Sequence, residues 1–451
     1  MILGAITDTA RAGLRLQRIG YVFMRSGVWG MLSELGFEMG KRGLVLTRLG
    51  RPKTRPLDSV FGRQLAHTFV ELGPTFIKLG QMLASRRDIV GEPVADELRC
   101  LFDSVPPIPF RKIRRILESE LGRKTVKKNF SAIETKALGS ASLAQTHRAT
   151  LTNKEDVILK VQKPGVEKIV RADLFILEGL ARSVHILLPK LQLLALFQDF
   201  KQATLREIDY REEAKNIDRF LKNNSSVFTK SSVAFPNYVP ELTTAHVITL
   251  EPMHGVKLST LKKGTTVARK AAAKSLEAIL EQIFDHGFFH ADPHAGNLFF
   301  LEDSGGIGFI DLGLVGQLEP DDKRRFLKVL FAILKRDRRG LAKSLYALGQ
   351  ASPKTDPARF EAKVDKLLND VKAQGLDKTS VESMVSRLLT IARSEGIFIP
   401  NRYVMLLRSC LIIEGVAKEL DPGLSIAAVA TPIVARSLFK SFNPLRLFRR
   451  S

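Results

Sequence analysis

The sequence predicts a helix-rich α+β protein, and three observations carry that prediction. Long stretches repeat apolar residues at helical spacing. An apolar run, Val-Ile-Leu-Lys-Val, occupies 157–161 and reads as a strand. Two further apolar runs, Leu-Phe-Phe-Leu and Ile-Gly-Phe-Ile, flank Glu-Asp-Ser-Gly-Gly at 302–306 and read as a β-hairpin, because a Gly-Gly pair suits a tight reversal.

With 451 residues the chain has room for two to three domains and a sizeable core. Its 45% hydrophobic and 26% charged residues exclude global disorder. Lys and Arg exceed Asp and Glu by 70 to 47, a formal charge of +23, which implies an anionic partner: nucleic acid, an anionic membrane surface or a phosphorylated ligand. Two cysteines, Cys100 and Cys410, make neither a disulfide framework nor a four-ligand zinc site. The longest stretch free of charged side chains, 422–435, is shorter than the roughly 20 apolar residues a spanning helix needs, so no transmembrane helix is predicted. At the N-terminus the arginines follow the apolar residues, the reverse of a signal peptide's order.

Taken in order, residues 1–56 carry ten basic and three acidic residues, with apolar side chains at helical spacing around Leu14, Ile19, Val22, Phe23 and Met24. They read as basic amphipathic helices, packed on the body of the protein or lying on a membrane. The stretch 57–130 reads as helical, with basic clusters at 111–115 and 123–128 and a Pro-rich connector at 105–109. Small residues dominate 137–144, ahead of the 157–161 strand. Helices are expected over 168–196 and 199–222, short strands at 233–239 and 245–250, and a helix over 265–287. Beyond 320 the chain reads as helical. The end, 421–451, includes a basic stretch at 436–450 with interleaved Phe and Leu, which suits a membrane interface better than a nucleic acid; no nucleic-acid-binding module is recognisable.

The chemistry concentrates in a loop and the hairpin after it. His290-Ala-Asp292-Pro-His294-Ala-Gly-Asn297 precedes the two apolar runs, and Asp311-Leu-Gly313 follows them. Protein kinases arrange H-R-D-x-x-x-x-N before a hairpin ending in D-F-G, with the same five-residue step from Asp to Asn. In that pattern Asp292 positions the acceptor, while Asn297 and Asp311 hold Mg²⁺ against the phosphates. Pro293 and Gly296 break any helix that could set His290 and His294 as a zinc pair, so loop hydrogen bonding is expected of both. Upstream, Lys160 sits mid-strand among apolar residues and needs an anionic partner. A phosphate, with Glu213 on a later helix, is the kinase-like answer. Before it, Gly139-Ser140-Ala141-Ser142 replaces a three-glycine loop with small residues that still let backbone amides approach phosphate.

Together these residues resemble the UbiB/ADCK-type atypical kinase-like family (AarF/UbiB), over roughly 60–420. Lys78-Leu-Gly80-Gln81 looks like the family's K-x-G-Q motif, Gly139 to Gln145 its Ala-rich loop, Lys160 its strand lysine, and Glu207-Ile-Asp209 its E-x-D motif. His290 to Asn297 resembles its catalytic loop, with Asp-Leu-Gly in place of D-F-G. The loop departs from the family's usual Ala-Ala-Ala-Ser, which bears on nucleotide preference. The membrane-spanning C-terminal helices of many bacterial members are not expected here.

The resemblance implies an atypical protein-kinase-like two-lobed fold. In it 1–56 are basic N-terminal helices, 57–130 the K-x-G-Q helical extension, 131–255 the N-lobe with inserted helices, 256–420 the helical C-lobe, and 421–451 a basic tail. It implies ATP and Mg²⁺ as cofactors, with Glu251 and Met253 joining Gly139, Ser140, Ala141, Ser142 and Lys160 around the nucleotide. It further implies ATP hydrolysis or phosphoryl transfer to a small or lipid-like acceptor, and support of ubiquinone or related isoprenoid-quinone metabolism. The expected partners are a quinone precursor or lipid, quinone-biosynthesis enzymes and an anionic membrane surface, at its cytoplasmic face. Two alternatives stand beside it: a nucleotide-gated scaffold or lipid-handling protein with little turnover, and a phosphotransferase of the aminoglycoside or choline kinase type. Helical spacing adds one expectation. Lys78 and Gln81 share a face, and on a continuous helix Asp209 and Glu213 stand one turn apart with Glu207 pointing elsewhere. Glu213 is therefore expected to pair with Lys160, and the K-x-G-Q helix to dock near the E-x-D segment.

Overall fold

The structure, a computed structural model, describes residues 2–28, 59–102, 106–187, 193–224, 233–334, 337–353, 355–374 and 381–442. Part of the expected N-terminal helical segment, 29–56, lies outside them, as does 443–451 of the basic tail. The chain forms two compact units, 1–210 with 241–249, and 211–240 with 250–451.

The first unit opens with helices α1 (Ile2–Arg25), α2 (Ser59–Leu72), α3 (Pro74–Ala84) and α4 (Glu92–Leu98). Their apolar faces meet in one core containing Val22, Phe69, Leu72, Phe76, Val94 and Leu98. Proline at the start of α3 suits a first turn whose amide needs no partner. Arg15 ties α1 down: its guanidinium grips both oxygens of the fully buried Asp173 at 2.6 and 2.9 Å and also reaches the Leu72 carbonyl at 2.6 Å.

Helices α5 (Phe110–Leu121) and α6 (Arg123–Asn129) then lead into a sheet. Its strands are β1 (Phe130–Ile133), β2 (Gly139–Ser140), β3 (Ala144–Leu151) and β4 (Asp156–Gln162), with β6 (Val247–Leu250) returning to close the order β1-β3-β4-β6 and β2 pairing on β3. Side chains alternate across β4, so Val157, Leu159 and Val161 are buried while Ile158 and Lys160 take the opposite face. Helices α7 (Val166–Leu187) and α8 (Leu193–Glu207) pack together through Val170, Leu174, Phe197 and Phe200.

The second unit starts at Arg211, within α9 (Tyr210–Asn224), and continues to β5 (Val233–Ala234). Strand β5 joins β7 (Val256–Lys257), β9 (Leu298–Leu301) and β10 (Gly306–Phe309) in the order β5-β10-β9-β7. The expected hairpin is present: β9 and β10 pair antiparallel, with Leu301 opposite Gly306. Helix α10 (Thr266–Glu281) begins on a side-chain cap, the Thr265 hydroxyl accepting from the Ala268 amide at 3.2 Å. It widens into a π turn over Gln282–His286 before Gly287, at φ +66°, ends it. Strands β8 (Phe288–His290) and β11 (Val315–Gln317) pair antiparallel. Among the described residues six further helices belong to the unit: α11 (Pro320–Leu334), α12 (Arg338–Leu348), α13 (Pro357–Gln374), α14 (Val381–Ser394), α15 (Asn401–Leu420) and α16 (Ile426–Phe442). Phe235 stacks on both Phe220 and Phe309, and Phe220 meets Phe288 at a tilt, which fastens α9 to β10 and β8.

The fold is α+β and helix-rich, as expected, with local corrections. Helix 199–222 breaks at Ile208–Asp209, because the Ile208 carbonyl accepts from Gln162 Nε2 and the Tyr210 amide turns to the Ala245 carbonyl. Helix 265–287 is α-helical only to Glu281. The strand expected over 233–239 shrinks to Val233–Ala234, and a two-residue ladder, 350–351 with 397–398, interrupts the helical C-terminal part. Among the described residues no helix is long and apolar enough to cross a membrane.

Candidate active site

In the first unit, strand register assembles one cluster. Gly139 on β2 lies opposite Thr146 on β3, and Thr146 lies opposite Lys160 on β4. The start of the small-residue loop and the strand lysine therefore share one row across the sheet. With strands about 4.8 Å apart, their backbones stand on the order of 10 Å from each other. The Ala141 amide bonds the Ala144 carbonyl at 2.9 Å, closing a tight turn that contains Ser142. Lys160 Nζ lies 5.4 Å from the Tyr210 ring centre, within cation–π range.

Gln145, nearly fully buried, fastens this loop to the Pro-rich connector. Its Oε1 accepts from the Ile108 amide at 2.8 Å and its Nε2 donates to the Ile108 carbonyl at 3.2 Å. The same amide lies 3.0 Å from His147 Nε2, while His147 Nδ1 lies 2.8 Å from the Glu134 carbonyl. A ring that donates through Nδ1 and accepts through Nε2 is neutral, in keeping with burial pushing His147 below the usual histidine value.

The K-x-G-Q and E-x-D segments meet in the same unit. Lys78 Nζ lies 2.6 Å from Glu207 Oε1, and Gln81 Nε2 donates to the Leu101 carbonyl at 2.7 Å. Gly80 faces inward, where a Cβ would stand 2.2 Å from Leu101 Cδ1 and 2.7 Å from the Phe69 ring, so no larger residue fits without displacement. The break at Ile208 removes the one-turn relation expected of Asp209 and Glu213. Asp209 lies between α8 and α9, and Glu213 lies in the first turn of α9.

In the second unit, one histidine organises the loop. His290 is fully buried; its Nδ1 accepts from the Asp292 amide at 3.1 Å, and its Nε2 faces the Asp311 and Ile310 carbonyls at 3.1 and 3.3 Å. Burial pushes its pKa down, although Asp292 and Asp311 act in the other direction. A neutral ring with its proton on Nε2 satisfies every one of these contacts. His290 thereby ties the start of the loop to the Asp-Leu-Gly segment. His294 caps the next turn, its Nδ1 accepting from the Gly296 amide at 3.1 Å.

Asn297 is buried at the loop's end. Its Nδ2 donates to the Asp292 carbonyl at 3.3 Å, which turns the amide oxygen the other way, and its own carbonyl accepts from the Ile310 amide at 3.0 Å. Asp311 adopts φ +57°, a left-handed conformation that only Gly, Asn and Asp enter readily. Helix α9 lies alongside: Asn216 Nδ2 donates to the Leu312 carbonyl at 2.9 Å, and a Cβ on Gly313 would sit 3.5 Å from Asp311 Oδ1 and 3.9 Å from Glu213 Oε2. The unit therefore brings Glu213, Asp292, Asn297 and Asp311 to one neighbourhood. Met253 packs on Gly308 of β10, and Glu251 Oε2 accepts from Asn237 Nδ2 at 2.8 Å.

Two contacts to this loop escaped sequence reasoning. Arg408 Nη2 donates to Asp292 Oδ1 at 3.0 Å, and Ser409 Oγ donates to the His290 carbonyl at 2.7 Å, both from α15. Nothing in a helical Leu-Leu-Arg-Ser-Cys run marks either residue.

Comparison with known proteins identifies the family of the chain. Residues 100–345 match the ABC1 atypical kinase-like domain, and 364–425 match the UbiB helical domain. The chain belongs to the ABC1 atypical kinase-like family. It is 33% identical over 403 residues to "Probable protein kinase UbiB" of Pseudomonas fluorescens, covering 86% of this chain and 74% of the relative. It is 32% identical over 442 residues to the protein of the same name from Haemophilus ducreyi, covering 94% and 80%. "Uncharacterized protein sll1770" of a Synechocystis species is 30% identical over 434 residues, covering 93% and 73%. The solved structure of Rv3197 with erythromycin, from Mycobacterium tuberculosis, aligns at a TM-score of 0.45 and 21% identity, covering 80% of this chain and 95% of that one. Membership in the ABC1 family makes this an atypical-kinase-like chain, with α15 in the segment that matches the UbiB helical domain.

Proposed function

We propose that this ABC1-family chain binds Mg-ATP and either hydrolyses it or transfers its γ-phosphoryl group to a small or lipid-like acceptor. The observation that carries the reading is the loop organised by His290, which holds Asn297, Asp292 and Asp311 together. An amide oxygen and a carboxylate are hard oxygen donors that suit Mg²⁺, and Asn297 Nδ2 is already occupied, leaving the oxygen for the metal. Bound Mg²⁺ would neutralise phosphate charge. Around it Asn297 and Asp311 would hold the metal, Asp292 would orient the acceptor hydroxyl or water, and Lys160 and Glu213 would take the roles that the family resemblance implies for them. Gly139, Ser140, Ala141 and Ser142 would offer backbone amides to phosphate, and Glu251 and Met253 would serve the base.

The proposed setting is isoprenoid-quinone or related lipid metabolism, at the cytoplasmic face of a membrane. Two surfaces support a peripheral site. Leu14, Tyr21 and Met24 stand exposed on α1 beside arginines, and α5–α6 present Arg111, Lys112, Arg114, Arg115, Arg123, Lys124, Lys127 and Lys128 to solvent. That stretch displays no exposed aromatic side chain on which a base could stack, which speaks against nucleic acid.

The test joins two measurements: Mg-ATP-dependent stabilisation and hydrolysis by the purified chain, and quinone profiling in cells lacking the protein. Native protein is expected to show both activities and restore the quinone pool; Asp311→Asn is expected to fold and restore nothing. ATP binding without turnover, with Asp292→Asn still functional in cells, would move the reading to a nucleotide-gated scaffold. Phosphorylation of choline or an aminoglycoside would move it to that class of phosphotransferase.

A further inference from the structure

Helix α15 grips the catalytic loop through two consecutive side chains of different kinds. Ser409 bonds the backbone, at the His290 carbonyl, and Arg408 bonds a reacting side chain, at Asp292 Oδ1. The Arg408 and Asp292 side chains are 19% and 25% exposed, so their pair is less solvated than an ordinary surface ion pair and holds its geometry better. The helix itself is anchored nearby. Tyr403 Oη donates to Asp322 Oδ1 at 2.8 Å, and Arg402 Nε lies 2.9 Å from the same oxygen.

We propose that Arg408 is a positioning residue that fixes the Asp292 carboxylate for phosphoryl transfer, so that the UbiB-type helical segment completes the catalytic loop. The inference rests on the reading that Asp292 orients the attacking group. In hydrolysis the water oxygen forms a bond to the γ-phosphorus, the bond to the bridging oxygen of ADP breaks, and the water's proton leaves on the phosphate product. The protein contributes mainly position and charge to such a step, so a carboxylate free to rotate loses much of its effect. Ser409 secures where the loop runs, and Arg408 secures where its carboxylate stands. Arg408 lies outside residues 100–345, the kinase-like match, so that segment alone lacks the device.

The experiment is steady-state ATP hydrolysis by the full chain, native and with Arg408→Ala, Arg408→Lys or Ser409→Ala, with Mg-ATP thermal shifts alongside. In Arg408→Ala, kcat is expected to fall about 10–100-fold, the range for losing a supporting contact. KM for Mg-ATP and the thermal shift should hold within about twofold, since ground-state binding is untouched. Low millimolar guanidinium should restore part of kcat, and Arg408→Lys should lie between. Ser409→Ala should instead weaken nucleotide binding and gain nothing from guanidinium. Arg408→Gln carries the same comparison if the alanine variant does not fold. Native kcat in Arg408→Ala, a rise in KM alone, or a loss that guanidinium leaves unchanged overturns the positioning role. A native chain that neither binds nor hydrolyses Mg-ATP overturns the underlying reading, and this inference with it.

Discussion

Lys78 and Glu207, 129 positions apart in sequence, form an ion pair of 2.6 Å that joins the K-x-G-Q helix α3 to the end of α8. The two motifs are thus halves of one contact inside the first unit. Gly80 and Gln81 explain the rest of the first motif: one permits close packing, and the other bonds the Leu101 carbonyl.

The pair should show as a coupling in a double-mutant cycle. Lys78→Ala, Glu207→Ala and the double variant, compared by urea unfolding, are expected to give about 0.5–1 kcal/mol, because both side chains are about a quarter exposed and partly screened. Strictly additive losses would show that the contact contributes nothing to stability.

Stability of the first unit should depend on pH through His246. Its Nδ1 lies 2.9 Å from Glu120 Oε1 and its Nε2 lies 3.1 Å from Glu167 Oε2, so both nitrogens donate only when the ring is protonated. Burial lowers the ring's pKa, but the hydrogen bonds and charges of Glu120 and Glu167 outweigh it and the net shift is upward. A raised folded value means the stabilisation is complete below the unfolded value of about 6.5 and disappears as pH rises through the folded one. Glu167, held low first by Arg171, contributes above its unfolded value of about 4.3 and loses that contribution as acid protonates it. Urea midpoints should therefore fall from about pH 6 toward pH 8.5, and His246→Gln should flatten that decline. An equal slope in the variant would assign the pH dependence to other groups.

Binding to a bilayer should follow the charge on α5–α6. Vesicles rich in phosphatidylglycerol are expected to carry the protein in flotation and neutral vesicles to leave it behind. Replacing Arg111, Lys112, Arg115 and Lys124 by Gln should weaken binding markedly, at about 1 kcal/mol per basic residue near the surface. Raising salt should act in the same direction. Binding unaffected by either change would remove this surface from the membrane reading.

Local chemistry was legible in the sequence wherever it was written in adjacent residues. Val157 to Val161 read as a strand because β-branched and apolar residues dominate it, and the hairpin read correctly because Gly305 lies in its turn and Gly306 opens its second strand. The contact between Lys78 and the E-x-D segment was legible through helical spacing, once resemblance had marked the two motifs. What escaped was decided at long range. The break at Ile208 answers to Gln162, 46 positions away. Arg15 reads as one more exposed arginine until Asp173 is found beneath it. Arg408 and Ser409 look like ordinary positions in an amphipathic helix, since their significance lies in what they face.

The π turn at Gln282–His286 is the feature on which the loop's orientation turns. Gln282 Oε1 accepts from the His290 amide at 2.9 Å, so this widened turn and the strand after it are fastened together. Each residue of a regular helix rotates the chain by about 100°. Deleting one residue between 282 and 286 would tighten the winding and swing β8 around by that angle, carrying Asp292 off its bearing. For this stretch the number of residues matters more than their identity, and shortening it should be far less tolerated than substitution within it.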